Sequence, residues 1–453
     1  MHFLALSMDQ ALNTTNQNKS EEQSTQKNLS IAIVGGGIGG LCLAIGLLRH
    51  NVPVHIYEAA PQFSEIGAGV SIGPSGCMSL NLLDPRLFKS FNKLATKHTD
   101  SPGWEDKKLV WMQYRYGRDE ELLVEISNKL GQTSVHRAEF LDTLVSLIPD
   151  EIISFGKKLR TVEESISSVK LIFEDGDSAE ASFVIGADGI RSRVREAVLG
   201  LEAKELSPEY SGTCVYRGVI PMEAAVKAVG KERAMLAQTY VNKGGYVVTY
   251  PIQHGASINL GAFTYKRDGP WERYGDWIFP DKKKDALKDF NDWCPSVKAL
   301  LNLLENLNMW AMFNMPLIPT NTKARLCLIG DAAHATTPHQ GSGCGAAIED
   351  ALILSQLIGD EHVKVEKDVF MAFKAYDTIC RPRGQRIITT SRDCGNLLSL
   401  QKPGIEDDKK LLIQNLQQRY SWIWDQDMEE MLKNAREYMI KLIQEHGIPM
   451  SRI

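Results

Sequence analysis

The segment from 29 to 58 constrains the fold of this chain more than any other. Leu29-Ser30-Ile31-Ala32-Ile33-Val34 is an apolar, β-branched run, the pattern of a strand buried on both faces. Glycines at 35, 36, 37, 39 and 40 follow at once. The pattern then predicts a helix over 41–49 and a second strand over Val54-His55-Ile56-Tyr57-Glu58. Together these form a βαβ unit with a parallel sheet. Within it, Gly35-x-Gly37-x-x-Gly40 has dinucleotide-binding spacing. Gly35 permits the tight turn, Gly37 lets backbone N–H groups reach a pyrophosphate at the helix N-terminus, and Gly40 permits close helix–strand packing. Glu58, about twenty residues on, can accept hydrogen bonds from ribose hydroxyls and disfavours a 2′-phosphate, so NADP is not expected here. The motif alone does not separate FAD from NAD.

Two more buried strands are predicted far downstream, Ser182-Phe183-Val184-Ile185-Gly186-Ala187-Asp188 and Arg325-Leu326-Cys327-Leu328-Ile329-Gly330-Asp331. Each ends in an acid where strand meets loop. Between them, Cys214-Val215-Tyr216-Arg217-Gly218-Val219-Ile220 and Tyr246-Val247-Val248-Thr249-Tyr250-Pro251-Ile252 suggest an antiparallel sheet with one face covered. From Ala347 onward the chain reads as helical, through Ser421-Trp422-Ile423-Trp424 and an amphipathic stretch to Glu445. The expected fold class is α/β, with a Rossmann-like domain split over 29–206 and 318–395. A mainly antiparallel substrate-binding domain is inserted over 207–317, and a C-terminal helical segment covers 396–453. Residues 1–28, polar from Asp9 onward, are expected to be a disordered extension.

Composition narrows the partners. The net charge of -5, with no basic block, gives no footprint for nucleic acid. No apolar run reaches the length of about eighteen residues that a membrane span needs, so no stable membrane insertion is expected. His2-Phe3-Leu4-Ala5-Leu6 is too short for a secretory signal and has no basic segment before it. The eight cysteines form no C-x-x-C pair, which points to free thiols in a reducing compartment rather than disulfides or zinc. The expected location is cytoplasmic; Ser451-Arg452-Ile453 is a loose match to a peroxisomal tail. A monomer or homodimer is expected.

Three motifs in order choose the cofactor. They are the glycine fingerprint with Glu58, then Gly186-Ala187-Asp188-Gly189-Ile190-Arg191-Ser192, then Gly330-Asp331-Ala332-Ala333-His334-Ala335-Thr336-Thr337-Pro338 followed by Gln340-Gly341-Ser342-Gly343. With these the sequence, over roughly 29 to 430, resembles the single-component FAD-dependent aromatic hydroxylases, the class A flavoprotein monooxygenases. It is most similar to their salicylate hydroxylase-like branch, which includes fungal dearomatising phenol hydroxylases. The resemblance implies FAD as cofactor, NADH or NADPH as co-substrate, O2, and a small phenolic substrate. It implies hydroxylation through a flavin C4a-hydroperoxide, either decarboxylating, as with salicylate, or dearomatising, as with polyketide phenols in secondary metabolism. It places Asp331 at ribityl or ribose hydroxyls, and Pro338, Gly341 and Gly343 along the isoalloxazine ring. It brings Asp188 and Gly189 near the FAD phosphates, Arg137 onto FAD, and Gly69 beside the flavin. Arg191 and Arg193 resemble residues linked to NAD(P)H use. No second fingerprint is found, consistent with transient nicotinamide docking. The chain departs from the family pattern after Gly67-Ala68-Gly69-Val70, where it reads Gly73-Pro74-Ser75-Gly76.

On the substrate side, Arg217 is the leading residue, as a cation that lowers a phenol pKa or holds a carboxylate. The dearomatising branch pairs such an arginine with a tyrosine, and Tyr240 and Tyr250 are both candidates. Against these stand a structural ion pair for Arg217 and plain sheet packing for either tyrosine. His334 and His339 are weaker candidates for general bases, since His334 belongs to the flavin motif. Trp271, Trp310, Met312 and Phe313 are aromatic-pocket candidates, with ordinary core packing as the default. Two other functions stay open: FAD-dependent epoxidation or hydroxylation of a non-phenolic terpenoid or alkaloid, and non-catalytic flavin binding.

Overall fold

A computed structural model describes residues 29–63, 69–97, 105–265, 276–280, 282–305 and 307–447. The expected disordered extension, Gly67, Ala68, Trp271 and the Ser451-Arg452-Ile453 tail lie outside the described residues.

The first strand, Ile31–Val34, is buried along its whole length. It pairs in parallel with Phe183–Gly186 on one side and Val54–Tyr57 on the other, with Ile33 opposite Ile185 and Ile56. Leu326–Leu328 adds a fourth parallel strand, and Ile153–Ser154 and Thr322–Lys323 complete a six-stranded sheet. Successive side chains of a strand point to opposite faces. Ile31 and Ile33 accordingly enter a core with Leu41, Ile45 and Leu352, from helices Ile38–Arg49 and Gly343–Ile358. Ala32 and Val34 enter a second core with Val169, Leu171 and Val194, from a three-stranded antiparallel sheet and helix Arg193–Leu199. Burial on both faces explains why these strands read as continuous apolar runs.

The second sheet has eight strands. Its centre is Glu209–Pro221, Ser257–Tyr265 and Gly245–Ile252, all antiparallel. Its register departs from the expected domain boundary. Val110–Tyr116 pairs in parallel with Gln238–Asn242, and Leu122–Ser127 forms the edge beyond it. The sheet of the 207–317 segment thus includes two strands from the first half of the chain. The expected division after 395 also falls inside one continuous helix, Glu366–Leu398.

Alternation along this sheet sorts its residues into two faces. Tyr216, Tyr240, Val247 and Leu260 pack with Val297, Leu300 and Leu301 from helix Pro295–Leu303. Val215, Val241, Tyr246 and Phe263 turn the other way, toward Leu397, Leu398 and Trp424. Both faces are therefore covered in part, where one was expected. The second face also carries Arg217, Tyr250 and Asn259, and the last two meet Gly69.

Candidate active site

The fingerprint loop is shaped as its glycines require. Gly35 has φ 104°, and a Cβ there would stand 2.3 Å from the carbonyl oxygen of Ala187. A Cβ on Gly40 would stand 2.1 Å from the Gly35 oxygen. Gly37, by contrast, faces open space at the start of its helix. One side of the loop is thus closed by the strand carrying Ala187, and the other presents bare backbone to a ligand. Glu58 is held beside it, accepting from Gly36 N at 2.6 Å and Ala60 N at 2.8 Å.

Asp188 lies against the same loop, but its carboxylate turns onto its own segment. It accepts from the Ser192 hydroxyl, from Arg193 N at 2.7 Å and from Val194 N at 3.2 Å, tying down the start of the following helix. Its contribution next to Gly35 is main chain. Gly189 follows with φ 76° and open space around it. Of the two arginines beyond, Arg193 pairs with Glu196 at 2.6 Å. Arg191 lies 4.1 Å over the ring of Trp277, which stacks on Phe313 at 4.0 Å.

The third motif is organised by a residue that sequence reasoning missed. Asp350, in helix Gly343–Ile358, accepts from Gly330 N at 2.9 Å and meets His334 Nε2 at 2.6 Å. Burial lowers the affinity of His334 for a proton, but the Asp350 charge and hydrogen bond outweigh it and leave the pKa raised. His334 is therefore an internal brace. Asp331 reaches solvent although protein surrounds it closely. That surrounding raises its pKa, while His334 and Arg137 pull it down. Past exposed Pro338, Gly341 has φ 62° and open space, and Gly343 starts the long helix. The buried Ser342 hydroxyl has no partner. Open backbone at Gly37 and Gly341, the carboxylates of Glu58 and Asp331, and an unsatisfied hydroxyl between glycines are a donor and acceptor set that fits FAD.

The substrate sheet meets this cradle at Gly69. Gly69–Ser71 pairs with Ser134–His136, placing Gly69 opposite His136 and next to Arg137. Tyr250 donates its hydroxyl to Gly69 O at 2.7 Å, and Gly69 N reaches Asn259 Oδ1 at 3.4 Å. Burial pushes the Tyr250 phenol up to about 12, against the opposing pull of Arg217 and Asn259. Arg217 is half-buried, 5.7 Å from the Trp310 ring. Burial lowers its pKa, Tyr250 opposes this, and the nearby Arg137 charge lowers it further. Arg137 thus acts electrostatically on Asp331 and Arg217 alike.

Not every expected residue joins them. Tyr240 is fully buried on the opposite face of the sheet, its hydroxyl without a partner. It is a core residue, and its aromatic strand pattern could not reveal which face it takes. Phe313 lies with that core as well, whereas Trp310 and Met312 are on the Arg217 face. His339 is buried, with Nδ1 2.7 Å from the Tyr246 hydroxyl. Burial lowers its pKa to about 3, so it is neutral and locked in place. Asn259 was missed because it sits in an apolar run, Ser257–Tyr265, where only the sheet register shows its face. Among the described residues no group of three or more His, Cys, Asp or Glu side chains is placed to hold a metal.

The chain matches the family model described as FAD binding domain over residues 28–391, and it belongs to that family. It is an FAD-dependent monooxygenase that draws reducing equivalents from NAD(P)H. It is 40% identical over 428 residues to the 6-methylsalicylate 1-monooxygenase of Aspergillus terreus, covering 92% of this chain and 94% of that one. It is 36% identical over 438 residues to a salicylate hydroxylase of Pseudomonas putida, covering 94% and 98%. A solved salicylate hydroxylase substrate complex superposes with a TM-score of 0.81 at 30% identity, covering 90% of this chain and 98% of that one.

Proposed function

We propose that this enzyme hydroxylates a monocyclic phenol carrying a carboxylate beside its hydroxyl, with loss of CO2. The observation that carries this is Arg217, a half-buried cation on the sheet face that carries Tyr250 and Asn259, the two residues that meet Gly69. A half-buried guanidinium at that place offers a charge partner to an anionic ring substituent. Relatives at 36–40% identity are named for salicylate and 6-methylsalicylate, which have this chemistry. Bound FAD supplies the redox chemistry: reduction by NAD(P)H and activation of O2. The protein positions, charges and dries the site. Arg217 holds the carboxylate or favours the phenolate, which makes the ring more electron-rich. Trp310, Met312 and Val215 form the apolar surface that excludes water. Tyr250 and Asn259 fix the strand at Gly69 and are positioning residues.

The test is purified, FAD-loaded enzyme with a panel of phenols, following NAD(P)H oxidation with product mass spectrometry. One oxygen gained and CO2 lost is expected for 2-hydroxybenzoates. Oxygen gained with all carbon retained would favour the dearomatising reaction instead. Oxidation unaffected by every phenol would remove the phenolic reading and restore the terpenoid or alkaloid one. No helix among the described residues is long and apolar enough to cross a membrane. A cytoplasmic enzyme, acting as monomer or homodimer, fits the eight free cysteines, seven of them buried.

A further inference from the structure

Arg195 sits in helix Arg193–Leu199 and is only 1% exposed. Its Nη1 donates to Ala332 O at 2.9 Å and Ala333 O at 3.2 Å. Its Nη2 donates to Glu205 O and Pro316 O, both at 3.1 Å. All four acceptors are main-chain carbonyls, and Nε has no partner among the described residues. Burial lowers its pKa to about 10, so the charge is kept and is stabilised by carbonyl dipoles.

The positions of those acceptors matter. Ala332 and Ala333 follow Asp331 in its short helix. Glu205 lies just before Glu209–Pro221, where the chain re-enters the substrate sheet and which carries Arg217. Pro316 lies just after Asn308–Asn314, the strand by which it leaves, carrying Trp310 and Met312. The helix of Arg195 is itself tied to Asp188, against the Gly35 loop.

We infer that Arg195 is a positioning residue that clasps both ends of the 207–317 part of the substrate sheet to the Asp188 and Asp331 motifs and so sets where Arg217 stands relative to them. A planar guanidinium can span four carbonyls on two sides, whereas a lysine ammonium is a single point with three donors. Loosening this clasp lets the 207–317 part of the sheet shift against the Asp188 and Asp331 motifs. With Arg217 displaced the phenol would be held out of place, and NAD(P)H would be spent on hydrogen peroxide rather than on hydroxylation. The inference rests on the phenolic reading only for its choice of assay.

The test compares R195K and R195M with the parent as FAD-loaded enzymes. Peroxide released per NAD(P)H is measured at saturating phenol. Flavin content is measured on each preparation, so that only FAD-loaded enzyme is compared. The hydroxylated fraction is expected to fall about tenfold in R195M, below the roughly hundredfold that a one-ångström misplacement can cost, with part of it recovered in R195K. FAD-loaded R195M that couples as well as the parent would overturn the inference. Hydrogen exchange of the parent supplies a second arm, needing neither variant nor substrate. Amides over 203–208 and 314–318 should exchange as slowly as those of the Arg193–Leu199 helix. Fast exchange in both linkers would overturn the clasp, whereas failure of every phenol would touch only the proposed substrate.

Discussion

Tyr250 donates its hydroxyl to the main-chain oxygen of Gly69 at 2.7 Å, joining the substrate sheet to the strand beside the cofactor cradle. The tyrosine proton is committed to backbone, and burial keeps the phenol protonated at neutral pH. Tyr250→Phe should therefore cost about 0.5–1.5 kcal/mol of stability. Its effect on turnover should stay within about tenfold, the equivalent of 1.4 kcal/mol. Thermal unfolding and steady-state kinetics on one preparation check both; a complete loss of turnover with FAD retained would give Tyr250 a direct chemical role.

Arg217→Ala should behave differently. No hydrogen bond to FAD depends on this side chain in the proposed site, so the variant should purify yellow. Losing a charge-assisted contact of about 1.5–3 kcal/mol should lower kcat/KM for a phenol by roughly ten- to a hundredfold. Arg217→Lys should recover part of it. Turnover equal to the parent would take Arg217 out of the site.

Tyr240→Phe separates the two tyrosines. The Tyr240 hydroxyl is buried without a partner, so its removal relieves a desolvation cost rather than breaking a bond. Unfolding midpoints should stay level or rise, and turnover should not change. A drop in kcat would show that the hydroxyl reaches a reacting group.

Glycine substitutions should split folding from cofactor binding. Gly35→Ala forces a side chain into a positive-φ conformation and onto the Ala187 carbonyl, a strain of order 1–3 kcal/mol before any clash. It should destabilise the apoprotein and abolish FAD binding together. Gly37→Val adds bulk only to open space, so the apoprotein should melt normally while FAD affinity falls. Fluorescence titration with FAD alongside apoprotein melting distinguishes them; equal FAD affinity in Gly37→Val would move the pyrophosphate elsewhere.

His339 should leave a signature in acid. Its pKa is about 3 in the folded protein and about 6.5 in an unfolded chain. Between these values the unfolded state binds a proton that the native state refuses. Its contribution is therefore present above pH 6.5 and is lost as pH falls toward 3, at up to ~1.4 kcal/mol per pH unit. His334 works in the opposite direction, its raised pKa giving stability that fades as pH climbs above 6.5. Urea midpoints from pH 4 to 6.5, measured on the parent and His339→Gln, should show a shallower slope in the variant; identical slopes would mean that His339 titrates freely.

The nucleotide half of this fold was legible because its signals are local. The turn, helix and acid lie within 35–58, and each glycine does there what its missing side chain allows. That the segment of Asp188 stands against that turn followed from motif order. The substrate half depends on pairing between distant strands. Tyr240 and Tyr250 look alike in sequence, yet a sheet register sends one into the core and the other to Gly69. Asp350 and Asn259 were equally hidden, since their importance comes from partners 20 and 190 residues away.

Val110–Tyr116 and Leu122–Ser127 complete the substrate sheet from outside the 207–317 segment. Specificity therefore cannot be transplanted between relatives by exchanging 207–317 alone. A chimera cut at those points would set a foreign Gln238–Asn242 edge against native neighbours, leaving a mismatched seam or a raw edge prone to aggregation. Recombination that respects the architecture would carry 105–128 along with the insert.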